Sequence, residues 1–211
     1  MTDLTRYMQY ARLHVYYWRE AMHWRWRPAG RATPHLVKRR VVRDYAKRFG
    51  SRILVETGTL FGDMLAAVAR HFDELHSIEL SPSLFEQAKL RFSRKKHVHL
   101  YNGDSATVLP QIVSALSGPA LFWLDAHYSG GITARGAIDT PIVEELRCIL
   151  GRDRHRHVVL IDDARCFDRG DKDYPSIDAV RALILELRPD YNVLVEDDII
   201  RAFPGDHDDS R

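Results

Sequence analysis

Apolar runs and amphipathic segments alternate along most of the chain, and this alternation predicts the fold. The runs predicted as strands lie at residues 53–55, 76–80, 98–101, 120–124 and 157–161. Two of them, 53–55 and 120–124, show no polar alternation, which is typical of strands covered by helices on both faces. The last two runs, 191–196 and 199–203, flank Asp197-Asp198 and predict a hairpin.

Segments between these strands carry apolar residues at helical spacing, so strand and helix alternate until the final hairpin. This order predicts an α/β fold: a Rossmann-like, doubly wound, mostly parallel seven-stranded sheet with an antiparallel strand near one edge. With 211 residues, 45% of them hydrophobic, the chain can bury one full core. We expect one domain over residues 34–211, preceded by a helical extension over residues 1–33.

The first helix of the domain is predicted to follow a Thr33-Pro34 cap, to run through Leu36 and Phe49, and to stop at Gly50. It carries a basic cluster of Lys38, Arg39, Arg40 and Arg43. Such a cluster is more often a solvated face than a binding patch, and we interpret it as solvated.

Charge divides the chain unevenly. Residues 1–50 contain 12 Lys and Arg against 3 Asp and Glu, whereas residues 51–211 contain 19 against 26. The extension is also rich in aromatic residues, interleaved with arginines over residues 4–27. A basic aromatic helix can pack on the domain or on a sister subunit in a homodimer, lie on an anionic membrane, or stack on nucleic acid.

No apolar run approaches the length that crosses a bilayer, and the N-terminus lacks an apolar signal core. The expected location is therefore cytoplasmic, with membrane-peripheral attachment through residues 4–27 as an alternative.

The turn after the first strand is the strongest candidate for a ligand site. Glu56 ends the strand, and Gly58 and Gly62 follow before the next helix, so a ligand can approach bare backbone there. Glu79 ends the second strand 23 positions after Glu56. An acid at that position is placed to accept hydrogen bonds from two ribose hydroxyls, which indicates a nucleoside.

Polar residues also follow the later strands. Asp104-Ser105 comes after the third strand, where Ser105 can cap the next helix and Asp104 faces the strand-end crevice. This pair is either a plain turn or a contact to the edge of an adenine. Asp125 and His127 follow the fourth strand, and Asp162-Asp163 follows the fifth.

Five blocks carry a family resemblance: V-E-T-G-T-L-F-G, S-I-E-L-S, N-G-D-S, F-W-L-D-A-H and L-I-D-D-A. In this order, over about residues 50 to 205, the chain resembles the class I S-adenosylmethionine-dependent methyltransferases. The variant is similar to the macrocin O-methyltransferase-like group, whose members act on sugar hydroxyls, and its paired acids resemble those of metal-dependent catechol-type enzymes. The wider spacing between Gly58 and Gly62 departs from the usual first motif.

The resemblance implies a role for each position. The methionine portion of S-adenosyl-L-methionine would lie against the first loop, at Glu56, Gly58, Thr59 and Gly62. Glu79 would bind the ribose, and Asp104 with Ser105 the adenine edge. Asp125 would contact the cofactor as well, and together with Asp162 and Asp163 it matches the positions where metal-dependent relatives hold a divalent ion.

Methyl transfer to a hydroxyl needs a base, a metal that lowers the hydroxyl pKa, or both. Asp125 and Asp162 end strands that we expect to be neighbours, so their carboxylates can converge on a hard cation such as Mg²⁺. His127 is the candidate general base, and Asp125 is the second catalytic candidate. His127 could instead be a metal ligand or a loop histidine without a role, and Asp162-Asp163 could simply cap a turn and hold Arg165.

These residues favour a metal-assisted O-methyltransferase acting on a hydroxyl of a sugar, a glycan or another polyhydroxylated small molecule. The alternatives are an RNA methyltransferase that uses the basic extension, and a non-catalytic membrane-peripheral protein with this fold. The acidic balance of residues 51–211 disfavours a nucleic-acid substrate.

Overall fold

The computed structural model describes residues 32–125, 141–151, 155–167 and 174–205. The predictions for residues 1–31 of the N-terminal extension and for His127 lie outside these residues. Among the described helices, none combines the length and the apolar character needed to pass through a membrane.

The helices are α1 (His35–Arg48), α2 (Asp63–Val68), α3 (Pro82–Phe92), α4 (Ser105–Ala115), α5 (Ile142–Gly151) and α6 (Ile177–Leu187). The strands are β1 (Ile53–Thr57), β2 (Glu74–Glu79), β3 (Val98–Asn102), β4 (Ala120–Leu124), β5 (Val158–Ile161), β6 (Tyr191–Glu196) and β7 (Ile199–Pro204). A short 3₁₀ turn, Ala164–Cys166, follows β5.

The seven strands form one sheet in the order β3-β2-β1-β4-β5-β7-β6. Strands β1 to β5 are parallel to their neighbours, whereas β7 is antiparallel to both β5 and β6. The predicted fold class is therefore confirmed, including the antiparallel strand near one edge. Chain order reverses between β1 and β4, which is where ligands bind in open α/β sheets.

Alternate residues of the central strands enter two separate hydrophobic layers. Val55 and Phe122 face α4, α5 and α6 on one side, while Leu54 and Trp123 face α1, α2 and α3 on the other. All five residues of β1 and of β4 are buried. This two-sided burial explains why the strands read as continuous apolar runs.

Two predicted helix caps are wrong. The residue before α1 is Pro34, and the Thr33 hydroxyl donates to the backbone oxygen of Asp197, at the distant β6–β7 turn. Before α4, Asp104 caps the helix by accepting from the Ala106 N–H at 2.9 Å. At α4 a neighbouring side chain replaces the predicted hydroxyl as the cap, whereas no side chain caps α1 because the Thr33 hydroxyl is used in a tertiary contact.

Candidate active site

The loop after β1 is held against the end of β2 by backbone hydrogen bonds. The N–H groups of Gly58 and Thr59 both donate to the Ile78 carbonyl, at 2.9 and 3.2 Å. Gly58 has a φ of 85°, and Leu60 adopts a left-handed φ of 49° that non-glycine residues rarely accept. Strained backbone of this kind is maintained where surrounding contacts over-determine it, and it concentrates at ligand sites.

Glu79 supplies one of those contacts. Its Oε2 accepts from the Leu60 N–H at 2.7 Å and its Oε1 accepts from the Ser81 N–H at 2.8 Å. The side chain is buried, and a carboxylate has further lone pairs that can accept from a ligand. Glu79 thus joins the end of β2 to the loop after β1, and its predicted contact with a ribose stays a prediction.

Glu56 lies beneath the same loop in a buried polar chain. The Ser77 hydroxyl donates to its Oε2 at 2.6 Å, and the hydroxyls of Ser77 and Thr59 are 2.6 Å apart. Burial raises the pKa of Glu56 to about 8, although the Ser77 hydrogen bond opposes the shift. The carboxyl is therefore mainly protonated at neutral pH, and it links the floor of the loop to β2.

The turn after β3 is attached to the end of β2. Asn102 Nδ2 and the Gly103 N–H both donate to the Glu79 carbonyl, at 2.8 and 3.0 Å. Asp104, which caps α4, and the buried Ser105 therefore lie at the same edge of the sheet as Glu79. The sites predicted for adenine and ribose adjoin each other.

Glu145 is a buried acid that the sequence reasoning missed. It is 2% exposed on α5, and burial raises its pKa to about 7 against the opposing effect of the Ser105 and Thr57 hydroxyls. The available signal was its position on the apolar face of α5, between Ile142 and Leu146. An acid in such a stripe must find polar neighbours, and here they lie at the edge where the crevice forms.

The acids after β4 and β5 come together as predicted. The Asp125 N–H donates to Thr57 O at 3.1 Å and the Asp162 N–H donates to Leu124 O at 3.0 Å, which extends the parallel ladders to both residues. Burial, and then the charge of Asp162, raises the pKa of Asp125 well above its usual range. Asp163 follows with a left-handed φ of 55°.

Lys38 enters this acidic cluster from α1. Its Nζ donates to Asp162 Oδ2 and lies 3.4 Å from Asp163 Oδ1. Burial alone would lower the pKa of the ammonium, but Asp162, Asp125 and Asp163 outweigh burial and raise it. The interpretation of the α1 basic cluster as a solvated face is wrong for Lys38, whose side chain is 13% exposed.

Arg165 closes the cluster on its other side. Its Nη1 donates to Asp163 Oδ1 at 2.8 Å and also to Asp198 Oδ2, and its backbone N–H donates to Asp198 Oδ1 at 2.6 Å. Asp163 therefore lies between two cations and is tied to the β6–β7 turn. One alternative from the sequence was that Asp162-Asp163 holds Arg165, and the structure shows this contact for Asp163.

The protein contacts of these acids bear on the predicted divalent ion. Asp162 Oδ1 accepts from the Asp163 N–H at 2.8 Å, and its Oδ2 accepts from Lys38. Within the described ranges, no three Asp, Glu, His or Cys side chains are arranged to hold a metal. The arrangement fits an ammonium better than a divalent ion, and the ion itself stays a prediction.

Several solved structures with this architecture are methyltransferases. The O-methyltransferase TomG of Streptomyces achromogenes, solved with SAM, has a TM-score of 0.59 and 19% identity over 89% of this chain and 87% of that one. An O-methyltransferase of Bacillus cereus, solved with SAH, has a TM-score of 0.60 and 17% identity over 84% of each chain. The chain has the fold of S-adenosylmethionine-dependent methyltransferases.

The fold also includes N-methyltransferases. NodS of Bradyrhizobium japonicum, an N-methyltransferase, has a TM-score of 0.52 and 13% identity over 80% of this chain and 95% of that one. No protein-family model and no curated protein sequence matches the chain. At these identities the likeness establishes the fold, and the acceptor atom has to be argued from the site.

Proposed function

We propose that the protein is an S-adenosylmethionine-dependent O-methyltransferase that acts on a hydroxyl of a sugar or of another polyhydroxylated small molecule. One observation carries the proposal. The strained loop after β1 is held by the hydrogen bond from Leu60 N–H to Glu79 Oε2 at 2.7 Å. This loop lies at the same sheet edge as the acids after β4 and β5. This edge is the ligand crevice of open α/β sheets.

The cofactor would lie along the ends of β1, β2 and β3. Gly58, Thr59 and Gly62 offer close backbone approach to the methionine portion, above the buried Glu56. Glu79 retains lone pairs for the ribose hydroxyls. Asp104 and Ser105 are assigned to the adenine edge, and Asp125 to the methyl-bearing sulfonium between the ribose and the methionine portion.

The reaction breaks the bond between sulfur and the methyl carbon while an acceptor oxygen forms a bond to that carbon. The electron pair of the broken bond stays on sulfur, and the acceptor proton goes to a base. His127 is the proposed base, because an imidazole can accept a proton near neutral pH. Most of the acceleration is expected from aligning the hydroxyl behind the methyl carbon.

A divalent ion was predicted to assist by lowering the pKa of the acceptor hydroxyl. Asp125, Asp162 and Asp163 would be its ligands, and carboxylate ligands favour a hard ion such as Mg²⁺. The Lys38 ammonium already contacts Asp162 and Asp163 and would repel a divalent ion there, so we assign no step of the reaction to a metal.

The test begins with calorimetric titration of the purified protein with S-adenosylmethionine and S-adenosylhomocysteine. Mass spectrometry then follows methyl transfer to a panel of sugars, glycans and polyols, with amine acceptors as the contrasting set. We expect His127→Gln to reduce transfer by about 10²- to 10⁴-fold without weakening cofactor binding.

The matched control is His71→Gln, the same change at an exposed histidine, which should leave both measurements unchanged. Failure of the folded protein to bind either cofactor would overturn the proposal. Transfer to amines alone would overturn its O-methyl part.

A further inference from the structure

We infer that the Lys38 ammonium serves as the built-in cation of the Asp125–Asp162–Asp163 cluster and positions these acids for methyl transfer without a divalent ion. The inference rests on the proposed function and adds to it a positioning residue outside the sequence blocks that carry the family resemblance. It makes the predicted metal dispensable.

The location of Lys38 supports the inference. Lys38 is on the face of α1 that also bears the buried Val41, Val42 and Tyr45, so the helix is anchored by its core contacts. Packing of α1 therefore carries the long side chain to the ends of β4 and β5. Burying an ammonium is costly unless acids compensate it, and here acids from two neighbouring strands do so.

The contacts of Lys38 are those expected of a substitute for a metal. One Nζ approaches carboxylate oxygens of two consecutive acids, Asp162 and Asp163, and the charge of Asp125 acts on it as well. An ammonium at hydrogen-bonding distance occupies oxygen lone pairs and repels a second cation. The Lys38 charge therefore opposes binding of a divalent ion at these oxygens.

Backbone strain indicates that this arrangement is maintained for a purpose. Asp163 adopts a φ of 55°, and its side chain is held between Lys38 and Arg165. An aspartate tolerates the left-handed region better than most residues, yet still at a cost. The two cations fix the direction of the Asp163 side chain, and Lys38 also contacts Asp162. Loss of Lys38 should therefore disturb both acids.

The experiment compares Lys38→Met with Lys47→Met, the same change at an exposed position of the same helix. Each protein is assayed for methyl transfer, for S-adenosylmethionine binding and for Mn²⁺ binding by electron paramagnetic resonance, with and without EDTA. We expect the unmodified protein to keep its full activity in EDTA and to bind no Mn²⁺ at this cluster.

Lys38→Met should lower kcat by about 10- to 100-fold, the range seen when partners that orient site ligands are removed. Cofactor affinity should change little. Removal of the ammonium leaves Asp125 and Asp162 without this cation and Asp163 with Arg165 alone, so this variant should gain Mn²⁺ binding and recover part of its activity with Mn²⁺ or Mg²⁺. Lys47→Met should match the unmodified protein in every measurement.

Loss of activity in EDTA, with recovery on adding Mg²⁺ to the unmodified protein, would overturn the inference, as would full activity of Lys38→Met. Mn²⁺ binding to the unmodified protein that Asp162→Asn abolishes would also overturn it. The Mn²⁺ measurement needs no acceptor, so it decides the inference even if no methyl transfer is found. If Lys38→Met fails to fold, the unmodified protein still provides the EDTA and Mn²⁺ tests, and Lys38→Arg, which keeps the charge, should still bind no Mn²⁺; Mn²⁺ binding by Lys38→Arg would overturn the inference.

Discussion

The Glu79 carboxylate accepts a hydrogen bond from the Leu60 N–H at 2.7 Å and so joins the end of β2 to the loop after β1. Leu60 holds a left-handed φ of 49°, which this bond helps to maintain. The acid predicted to bind the ribose therefore also shapes the loop predicted to hold the methionine portion.

Replacing Glu79 tests this double role. In Glu79→Gln one oxygen is replaced by an NH₂ group, which accepts no hydrogen bond. The amide can therefore accept from only one of the Leu60 and Ser81 N–H groups. We expect a loss of about 1.5 to 3 kcal/mol in the free energy of unfolding, typical of hydrogen bonds to charged groups. Chemical denaturation measures it, and calorimetry should show weaker S-adenosylmethionine binding. Glu86→Gln, at an exposed acid on α3, is the control; equal behaviour of the two variants would contradict the role.

Gly62 allows the loop to pass close to α3. A Cβ at this position would lie 2.5 Å from Phe92 Cε2, and the φ of 72° adds strain for any other residue. Since Phe92 is buried, we expect Gly62→Ala to destabilise the protein by about 2 kcal/mol or more. Gly118→Ala, where nothing lies within 4 Å of the added Cβ, should change the free energy of unfolding by less than about 0.5 kcal/mol.

The two causes of the expected destabilisation by Gly62→Ala, the contact with Phe92 and the positive φ, can be measured separately. Phe92→Leu combined with Gly62→Ala should remove part of the steric cost but leave the cost of the positive φ. A double-mutant cycle on denaturation free energies measures this coupling. Full additivity of the two changes would show that Phe92 does not restrict Gly62.

Glu56 should make stability depend on pH. Its pKa rises from 4.5 to about 8 on burial, so the folded state binds a proton more tightly than the unfolded state. The resulting stabilisation is complete below about pH 4.5 and is lost as the pH rises through about 8. The slope for one proton is at most about 1.4 kcal/mol per pH unit.

Glu56→Gln should remove the contribution of this proton to the pH dependence of the free energy of unfolding. At pH 9 the variant should be more stable than the unmodified protein. Denaturation curves measured from pH 5 to pH 9 provide the comparison, with Glu86→Gln as an exposed control. A slope unchanged by Glu56→Gln would show that Glu56 does not bind the proton.

His157 satisfies a backbone donor in the core. Its Nδ1 accepts from the Ala120 N–H at 3.0 Å, and the residue is fully buried. His157→Phe would leave this N–H without an acceptor, so we expect a loss of about 1 to 3 kcal/mol in the free energy of unfolding. His157→Asn retains an acceptor for the Ala120 N–H and should therefore be more stable than His157→Phe. Thermal or urea unfolding that ranks Asn below Phe would refute the assignment.

Much of the fold was predictable because its signals are local. The runs at 53–55 and 120–124 became the buried centres of β1 and β4, and the Asp197-Asp198 turn joined β6 to β7 as expected. The strand-end acids were also predictable, since the carboxyl ends of parallel strands share one edge of a sheet. Asp125 and Asp162 adjoin for that reason.

The partners of long side chains were harder to predict. The spacing from Lys38 to Val41, Val42 and Tyr45 already placed it on the inward face of α1, but nothing local indicated which acids it would meet. Glu145 presented the same difficulty, because its polar neighbours come from β1 and α4. Such contacts depend on how separate elements pack, which the pattern within one element does not encode.

The sequence by itself determined the order of strands and helices, their buried faces and the edge at which the acids collect. These features follow from the hydrophobic period of each segment and from the geometry of parallel strands. Only the tertiary structure decided which cation the acids share. That choice arises where α1 packs beside β4 and β5, because the desolvation of a buried ammonium is offset only when carboxylates from distant parts of the chain surround it.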